Sequence, residues 1–441
     1  MLISDWDVVR LGDFCSKIGS GATPRGGSSA YLPEGPFSLI RSQNVLLNAF
    51  SLDGLAFISD EQAAELRNVE VLQHDVLLNI TGDSVARACK VDSKVLPARV
   101  NQHVAIVRPN PEEIDPRYLL YWLVSPDTQS HLLTMAGGGA TRNALTKAMI
   151  EGLKIRKPPL PTQQTIASVL SALDDKIELN RRMNETLEAM ARALFRSWFV
   201  DFDPVRAKSE GRPTGLPADL EALFPNEFED SPLGEIPKGW QVQPLGHIAD
   251  VRIGKTPPRL EHHWFSKSRA DVRWVSIRDL GRVDVFISET SEFLTADAVS
   301  RFRIRVVPDR TVMVSFKLTV GRVAISDGEL TTNEAIAHMI PQDSILAPWF
   351  LYSYLGTFDY GRLGSTSSIA TAVNSDSIRE LPVLVPSTGI VRAFNERVES
   401  LFQQILVSSR ESRALEDMRC DLLPRLLSGE IEVAEAEVAI A

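Results

Sequence analysis

Cysteine is almost missing: the 441 residues hold three, Cys15, Cys89 and Cys420. Scattered and odd in number, they do not make a disulfide framework; they fit packed thiols in a reducing compartment. No stretch approaches the roughly 18 apolar residues of a membrane span. The first ten residues, MLISDWDVVR, lack the apolar core of a signal peptide, so the expected location is cytoplasmic.

Excess positive charge is missing too. The net charge is −10, and residues 1–155, 156–238, 239–386 and 387–441 carry −3, −3, 0 and −4. A chain with no basic arm binds nucleic acid only through local patches, or with a partner that neutralises phosphates.

Catalytic motifs are equally scarce. There is no G-x-x-x-x-G-K-[ST] phosphate loop, and no G-x-G-x-x-G opens a helix after a strand. Gly19-Ser-Gly-Ala-Thr23 lacks the third glycine and reads as a loop; Gly137-Gly138-Gly139 lacks the flanking pattern. The adjacent His262 and His263 would face opposite ways on a strand, which suits a surface pair better than a metal site. Asp201 and Asp203 read as a helix-ending turn with a partner-facing apolar patch, not as paired catalytic carboxylates. No Ser/His/Asp set emerges. We therefore expect no catalytic residue and no metal on this chain.

What is present is a repeat with a period near 230 residues. Trp6-x-Val8-x-x-Leu11-Gly12 returns as Trp240-x-Val242-x-x-Leu245-Gly246. Ile18-Gly19-x-x-x-Thr23-Pro24 returns, shortened, as Ile253-Gly254-x-Thr256-Pro257. Ile40-Arg41 resembles Ile277-Arg278, and Asp75-Val-Leu-Leu resembles Arg310-Thr-Val-Met. Val85-Ala86-Arg87 resembles Val320-Gly321-Arg322, and Asn101 before an apolar run resembles Asn333. Tyr118–Tyr121 resembles Trp349–Tyr352, and Ile150-x-x-Leu153 resembles Ile378-x-x-Leu381. Each copy opens with about 150 residues of short apolar runs and Gly, Pro and Ser turns. Val71–Ile80 and Val306–Phe316 read as buried strands, so the globules are expected to be α/β.

Each copy then switches to a period of 3.5. The first helix carries seams Ile166, Leu173, Asn180, Leu187, Leu194 and Leu170, Ile177, Asn184, Ala191, Trp198. The second carries Phe394, Leu401, Ser408, Leu415, Leu422 and Val398, Ile405, Ser412, Arg419. Thr162 after Pro161 marks the expected start and Asp203-Pro204 the expected stop. Periodicity alone also fits ordinary bundle or dimer helices; the globule-plus-helix repeat argues for a paired coiled coil. Polar seam residues cost stability but fix register. Antiparallel pairing sets Asn180 against Ser412 and Asn184 against Ser408, and allows the globules to sit at opposite ends. About 38 residues would span roughly 57 Å, long enough to act as a ruler.

The overall expectation is an α+β chain: two similar α/β domains separated by two long antiparallel coiled-coil helices, with pseudo-two-fold internal symmetry. The expected segments are a first domain at 1–157, a first helix at 158–204, a linker at 205–238, a second domain at 239–386, a second helix at 387–429 and a tail at 430–441. DNA-reading candidates are loop polar residues that recur in both copies. In the first they are Ser20, Thr23, Arg25, Arg41, Gln43, Asn44, Thr81, Ser84, Arg87, Thr141 and Arg142. In the second they are Lys255, Thr256, Arg259, Arg278, Asp279, Lys317, Thr319, Arg322, Ser367 and Ser368. Arginine suits guanine, Asn and Gln suit adenine, and Ser and Thr mostly suit phosphate.

Residues 177–208, IELNRRMNETLEAMARALFRSWFVDFDPVRAK, resemble the central region of type I restriction-modification specificity subunits, and residues 422–429, LLPRLLSG, resemble their C-terminal region. The resemblance implies a non-catalytic DNA-recognition subunit. Two target-recognition domains would each read half of a bipartite site in double-stranded DNA, and the helices would set the spacer and dock two methyltransferase subunits. No cofactor is implied on this chain: S-adenosylmethionine belongs to the methyltransferases, and ATP and Mg to the motor-nuclease subunits of the full complex. Arg419, a seam residue taken to face the Ala191 side, departs from tight apolar packing. A competing expectation is an adaptor with a coiled-coil spacer and two protein-binding heads, which the acidic charge favours. A nuclease or methyltransferase in its own right is disfavoured by the absent motifs.

Overall fold

The computed structural model describes residues 6–138, 143–317, 319–341, 347–361, 375–432 and Ala436. By compactness the chain divides into two units, Met1–Glu178 with Ser412–Ala441, and Leu179–Glu411. Each mixes helix and sheet, and each takes part of both long helices.

In the first unit a four-stranded antiparallel sheet has the order Cys15–Ser20, Val104–Pro109, Val76–Asn79, Ala88–Lys90. Its central strands are continuous apolar runs because both faces are covered. Side chains alternate across a strand: Val76, Leu78, Ala105 and Val107 join a core with Tyr118 and Leu119, while Leu77, Val104 and Ile106 join another with Leu39 and Val100. Helix Pro116–Val124 supplies Tyr118 and Leu119. Asp115 caps it by accepting from the Arg117 and Tyr118 amides, and Pro116 adds no orphan N–H. A second sheet has the order Ala56–Ile58, Phe37–Ile40, Ala98–Val100, Glu70–Val71, with its two central strands parallel. Asp7–Arg10 pairs with Lys154–Lys157, closing the globule's two ends.

The second unit contains corresponding pairings. Ala249–Ile253, Ile336–Pro341, Val312–Ser315 and Val323–Ser326 follow one another in one sheet, extended by Phe286–Ile287. Val312, Val314, Ala337 and Met339 face one core, and Met313, Ala324 and Ile336 face the other. Val272–Val275 lies parallel to Thr331–Thr332, as Phe37–Ile40 does to Ala98–Val100. Gln241–Pro244 pairs with Pro382–Val385.

The long helices are Leu160–Phe199, 40 residues, and Thr388–Ser428, 41 residues. The first stops before Asp203-Pro204. The chain turns at Phe202, whose φ of 56° is left-handed, and Asp203–Ser209 forms a separate helix. Within the second unit the helices run antiparallel, since Asn184 meets Ser408 and Ser409 while Phe195 meets Phe394. The Ser408 hydroxyl donates to Asn184 Oδ1, and Asn184 Nδ2 donates to Ser409 Oγ at 3.1 Å. Asn180 donates to Glu411 Oε2 at 2.8 Å and to the Ser408 carbonyl at 3.4 Å. Ile166, Leu170, Leu173, Asn180, Asn184, Phe394, Val398, Ile405, Ser408 and Leu422 are buried; Ile177, Leu187, Leu194, Leu401, Ser412 and Leu415 are half-buried.

Within the first unit Arg419 faces Asp174, not the Ala191 side, because antiparallel order reverses the match between copies. Its Nη1 lies 2.5 Å from Asp174 Oδ1. Asp174 Oδ2 also accepts from Tyr121 Oη at 2.7 Å and Asn48 Nδ2 at 2.8 Å. Burial opposes the Arg419 charge, but the Asp174 hydrogen bond and charge outweigh it and raise its pKa. An arginine thus occupies the seam as part of a satisfied polar hub.

Two further expectations change. Residues 205–238 fold rather than link: Val205, Leu220, Phe224 and Ile236 are buried in the second unit's main core, and Phe228–Ser231 pairs with Gly234–Pro237. Phe199 and Phe202 also turn into that core rather than toward a partner. Phe199 packs edge-on against Phe350 and Phe394 at 5.3 and 5.2 Å, and Phe202 against Trp240 at 5.8 Å.

Candidate nucleic-acid interface

In the first unit three strands reach one sheet edge together: Ser20 lies beside Ala105, and Asn79 beside Val104. The loops leaving that edge, at 21–25, 80–87 and 101–103, are therefore neighbours. Asn79 Nδ2 ties in the 41–45 turn by donating to the Ser42 and Val45 carbonyls at 2.9 and 3.1 Å. Ser20, Thr23, Arg25, Arg41, Gln43, Asn44, Thr81, Ser84 and Arg87 all stand on these loops or strand ends. In the second unit Ile253 lies beside Ala337 and Ser315 beside Ile336. That edge gathers Lys255, Thr256, Arg259, Lys317, Thr319 and Arg322. The turn bearing Arg278 and Asp279 is tethered to it through Arg322 Nη1, 3.3 Å from the Ile277 carbonyl. Thr141, Arg142, Ser367 and Ser368 lie outside the described residues.

Hydrogen bonding sets the correspondence between the two edges more finely than residue similarity does. The Ile40 carbonyl takes the Asn101 amide at 3.1 Å, and the Val275 carbonyl takes the Asn333 amide at 3.0 Å. Ile40 therefore corresponds to Val275, not Ile277, and Asn44 corresponds to Asp279. Likewise Val76 corresponds to Val312, since they pair with Val107 and Met339. Gly21, not Gly19, corresponds to Gly254: a Cβ at Gly21 would meet the Val100 carbonyl, and one at Gly254 the Thr332 carbonyl. Shared sequence letters set Gly19 against Gly254, yet register gives this loop one length in both units, with Ser20, Gly21 and Thr23 standing where Ile253, Gly254 and Thr256 stand.

The register explains two corrections. Asn44 is fully buried; its Oδ1 accepts from the Arg41 amide at 3.0 Å, and its Nδ2 donates to the Ser51 and Asp53 carbonyls at 3.0 and 3.2 Å. Asp279, also buried, accepts from the Ser276 amide at 2.9 Å and the Ser291 amide at 3.1 Å. Both side chains spend their polar atoms fastening a turn and have none to offer a base.

The remaining cations fall into two sets. Arg25, Arg87, Arg278 and Lys317 are exposed and make no hydrogen bond or ion pair with a described residue. The others are held. Arg41 donates to the Gly54 carbonyl and lies 5.2 Å over Tyr31. Lys255 Nζ reaches the Phe302 carbonyl at 3.3 Å. Arg259 pairs with Glu292 at 2.9 Å and lies 4.5 Å over Trp274. Gln43 Nε2 donates to the Gly54 carbonyl at 3.2 Å. Thr319 is exposed, and its carbonyl accepts from Ser315 Oγ.

Three residues at the edges escaped sequence reasoning. Thr81 Oγ1 lies 2.6 Å from His103 Nδ1, His103 Nε2 lies 2.9 Å from Gln102 Nε2, and Gln102 Oε1 accepts from Thr23 Oγ1. In the second unit Thr256 Oγ1 donates to Glu334. The repeated Asn101 and Asn333 were the available signal: each immediately precedes one of these exposed side chains. His262 and His263 are exposed, as expected of a surface pair.

One buried group near this edge gives a pH test. His338 Nε2 lies 2.5 Å from Thr332 Oγ1. Burial, and then the Arg305 charge, push its pKa from 6.5 down to about 4. The folded chain therefore favours neutral imidazole. The resulting stability is present above pH ~6.5 and is lost as pH falls towards ~4. Between pH 7 and 5 we expect H338Q, read by urea midpoints, to lose about 2 kcal/mol less than the parent. Equal losses would remove His338 as the cause.

Residues 3–189 match the family described as the type I restriction modification DNA specificity domain. The type I restriction enzyme HindI specificity subunit of Haemophilus influenzae is 28% identical over 473 residues, covering 97% of this chain and 100% of that protein. The MjaIX specificity subunit of Methanocaldococcus jannaschii is 28% identical over 326 residues, covering 72% of this chain and 69% of its own. The crystal structure of a type I restriction-modification S subunit from M. genitalium aligns with a TM-score of 0.56 at 15% identity, covering 96% of each chain. At that identity the likeness is one of fold.

Proposed function

We propose that the chain is a type I restriction-modification specificity subunit, on its match to that family's DNA specificity domain over residues 3–189 and its 28% identity to a specificity subunit along 97% of its length. It supplies the DNA sequence specificity of a methylating and restricting complex and performs no chemistry itself. Each unit's loop edge reads one half of a bipartite site. The two long helices act as an antiparallel coiled coil within an internal repeat of pseudo-two-fold symmetry; they fix the nonspecific spacer and dock two methyltransferase subunits. S-adenosylmethionine sits on those partners, and ATP and Mg on the motor-nuclease subunits.

The observation that carries this reading is a common strand framework with different side chains at its edge. Thr81, Gln102 and His103 stand in the first unit where Lys317, Glu334 and Ala335 stand in the second. Two readers of unlike half-sites need that combination: shared positioning and divergent base contacts. Arg25, Arg87, Arg278 and Lys317, whose side chains make no hydrogen bond or ion pair with a described residue, supply local phosphate contacts, and the partners supply the rest of the neutralisation that a net charge of −10 cannot. Protein-binding heads give no reason for such cations at matched edges.

The test is adenine methylation across the genome of cells with and without this gene. One bipartite motif should vanish on deletion. An unchanged methylome would overturn the function.

A further inference from the structure

We infer that Glu334 and Gln102 are corresponding base-reading side chains, with Glu334 accepting a hydrogen bond from the cytosine N4 amino group in the major groove. The inference rests on the DNA-reading function proposed above and goes on to name the residue and the base.

Register makes the two positions equivalent. Val104 and Ile336 pair with the strand ends Asn79 and Ser315, so Gln102 and Glu334 each stand two residues before the same point. Each side chain is exposed, and each is gripped by the threonine of a Thr-Pro pair, Thr23 or Thr256. The threonines in turn follow Gly21 and Gly254, whose close approach to the neighbouring strand's carbonyls anchors the loop. A side chain held by such a chain of contacts has a defined direction at the loop edge, which base reading requires and phosphate contact does not.

Chemistry then separates them. A carboxylate only accepts hydrogen bonds, so phosphate oxygens repel it. It nevertheless sits at an edge with Lys255, Lys317 and Arg322, all of them exposed. The DNA groups that suit it are amino groups. Adenine N6 stands beside the acceptor N7, and guanine N2 lies in the narrow minor groove; cytosine N4 in the major groove is free of both obstacles. Gln102 carries an amide instead, donor and acceptor together, which suits the N6/N7 pair of adenine. Its neighbour His103 engages the amide nitrogen, whereas Ala335, beside Glu334, has no polar side chain to compete.

The experiment uses the full chain in its reconstituted methylating complex on a randomised DNA library. The parent should methylate a bipartite motif; if it methylates none, the family function and this inference both fail. E334Q should change one base pair, C·G to A·T, in one half-site and leave the other half unaltered. E334A should relax discrimination at that pair about 10- to 100-fold. Q102E should shift one position in the opposite half towards cytosine. If the parent motif appears but E334Q and E334A methylate it with the parent's base preferences, the inference falls and the family function stands. If E334Q is inactive and Q102E leaves its half-site unchanged, the inference falls as well.

Discussion

G254A is expected to weaken recognition of one half-site, with a loss of up to about 100-fold in affinity for the bipartite DNA. The added methyl group would collide with the Thr332 carbonyl, the Thr332 hydroxyl and the Asn333 carbonyl. Two of these three are main-chain atoms, so no rotamer change relieves the clash. Overpacking of this kind usually costs about 1–3 kcal/mol. Here the strain falls on the loop that holds Lys255 and Thr256, and through Thr256 on Glu334. G21A should do the same in the other unit, where the methyl meets the Val100 carbonyl. G137A is the control: that residue ends helix Pro126–Gly137, and nothing lies within 4 Å of an added Cβ. It should be neutral or stabilising by up to about 1 kcal/mol. Filter binding to cognate DNA, with melting curves alongside, checks all three. Parent-like affinity in G254A would show that the loop tolerates a shift and that recognition does not depend on it.

The helices were largely legible because an apolar period over 40 residues has few alternatives. Even the polar layer was placed to within a residue or two, with Asn184 on Ser408 and Asn180 on Glu411. What failed there was orientation logic at Arg419. Comparing copies position by position sets Arg419 with Ala191, while antiparallel packing sets it with Asp174. The buried strands were legible at their centres, Val76–Leu78 and Val312–Val314, which are unbroken apolar runs, but the expected Val71–Ile80 and Val306–Phe316 shorten to Val76–Asn79 and Val312–Ser315.

The loop edges were only half legible. Polar residues in loops look alike in sequence whether they face solvent or fasten a turn. Asn44 and Asp279 carry the right chemistry for base contact but use it internally. Gln102 and Glu334 flank buried strands, where a single exposed residue gives no periodic signal. The folded segment at 205–238 was hidden because its apolar residues, Val205, Leu220, Phe224 and Ile236, are too widely spaced to show a period. They are held by a core already built from Trp198, Phe199 and Trp240.

Helix length is where the second large effect is expected. Consider seven residues inserted between Thr186 and Leu187, and seven more between Gln403 and Gln404. Seven residues are close to two helical turns, so the seam continues with a drift of only about 20°. The polar pair Asn184–Ser408 stays on one side of the paired insertions and the aromatic contact Phe195–Phe394 on the other. Both can therefore be kept. At 1.5 Å per residue the helices gain about 10 Å, close to three base pairs at roughly 3.4 Å each. The expected product methylates the same two half-sites with a spacer about three base pairs longer. Inserting the heptad in the first helix alone has a different outcome. The two contacts then demand different registers; either the buried Asn184 loses its partners or Phe195 leaves the core, and methylation should fall below detection with a lowered melting temperature. The comparison separates length from sequence damage, because the paired variant carries more inserted residues than the single one. A paired variant that keeps the original spacer would mean that the separation of the half-sites is set elsewhere than in the helices.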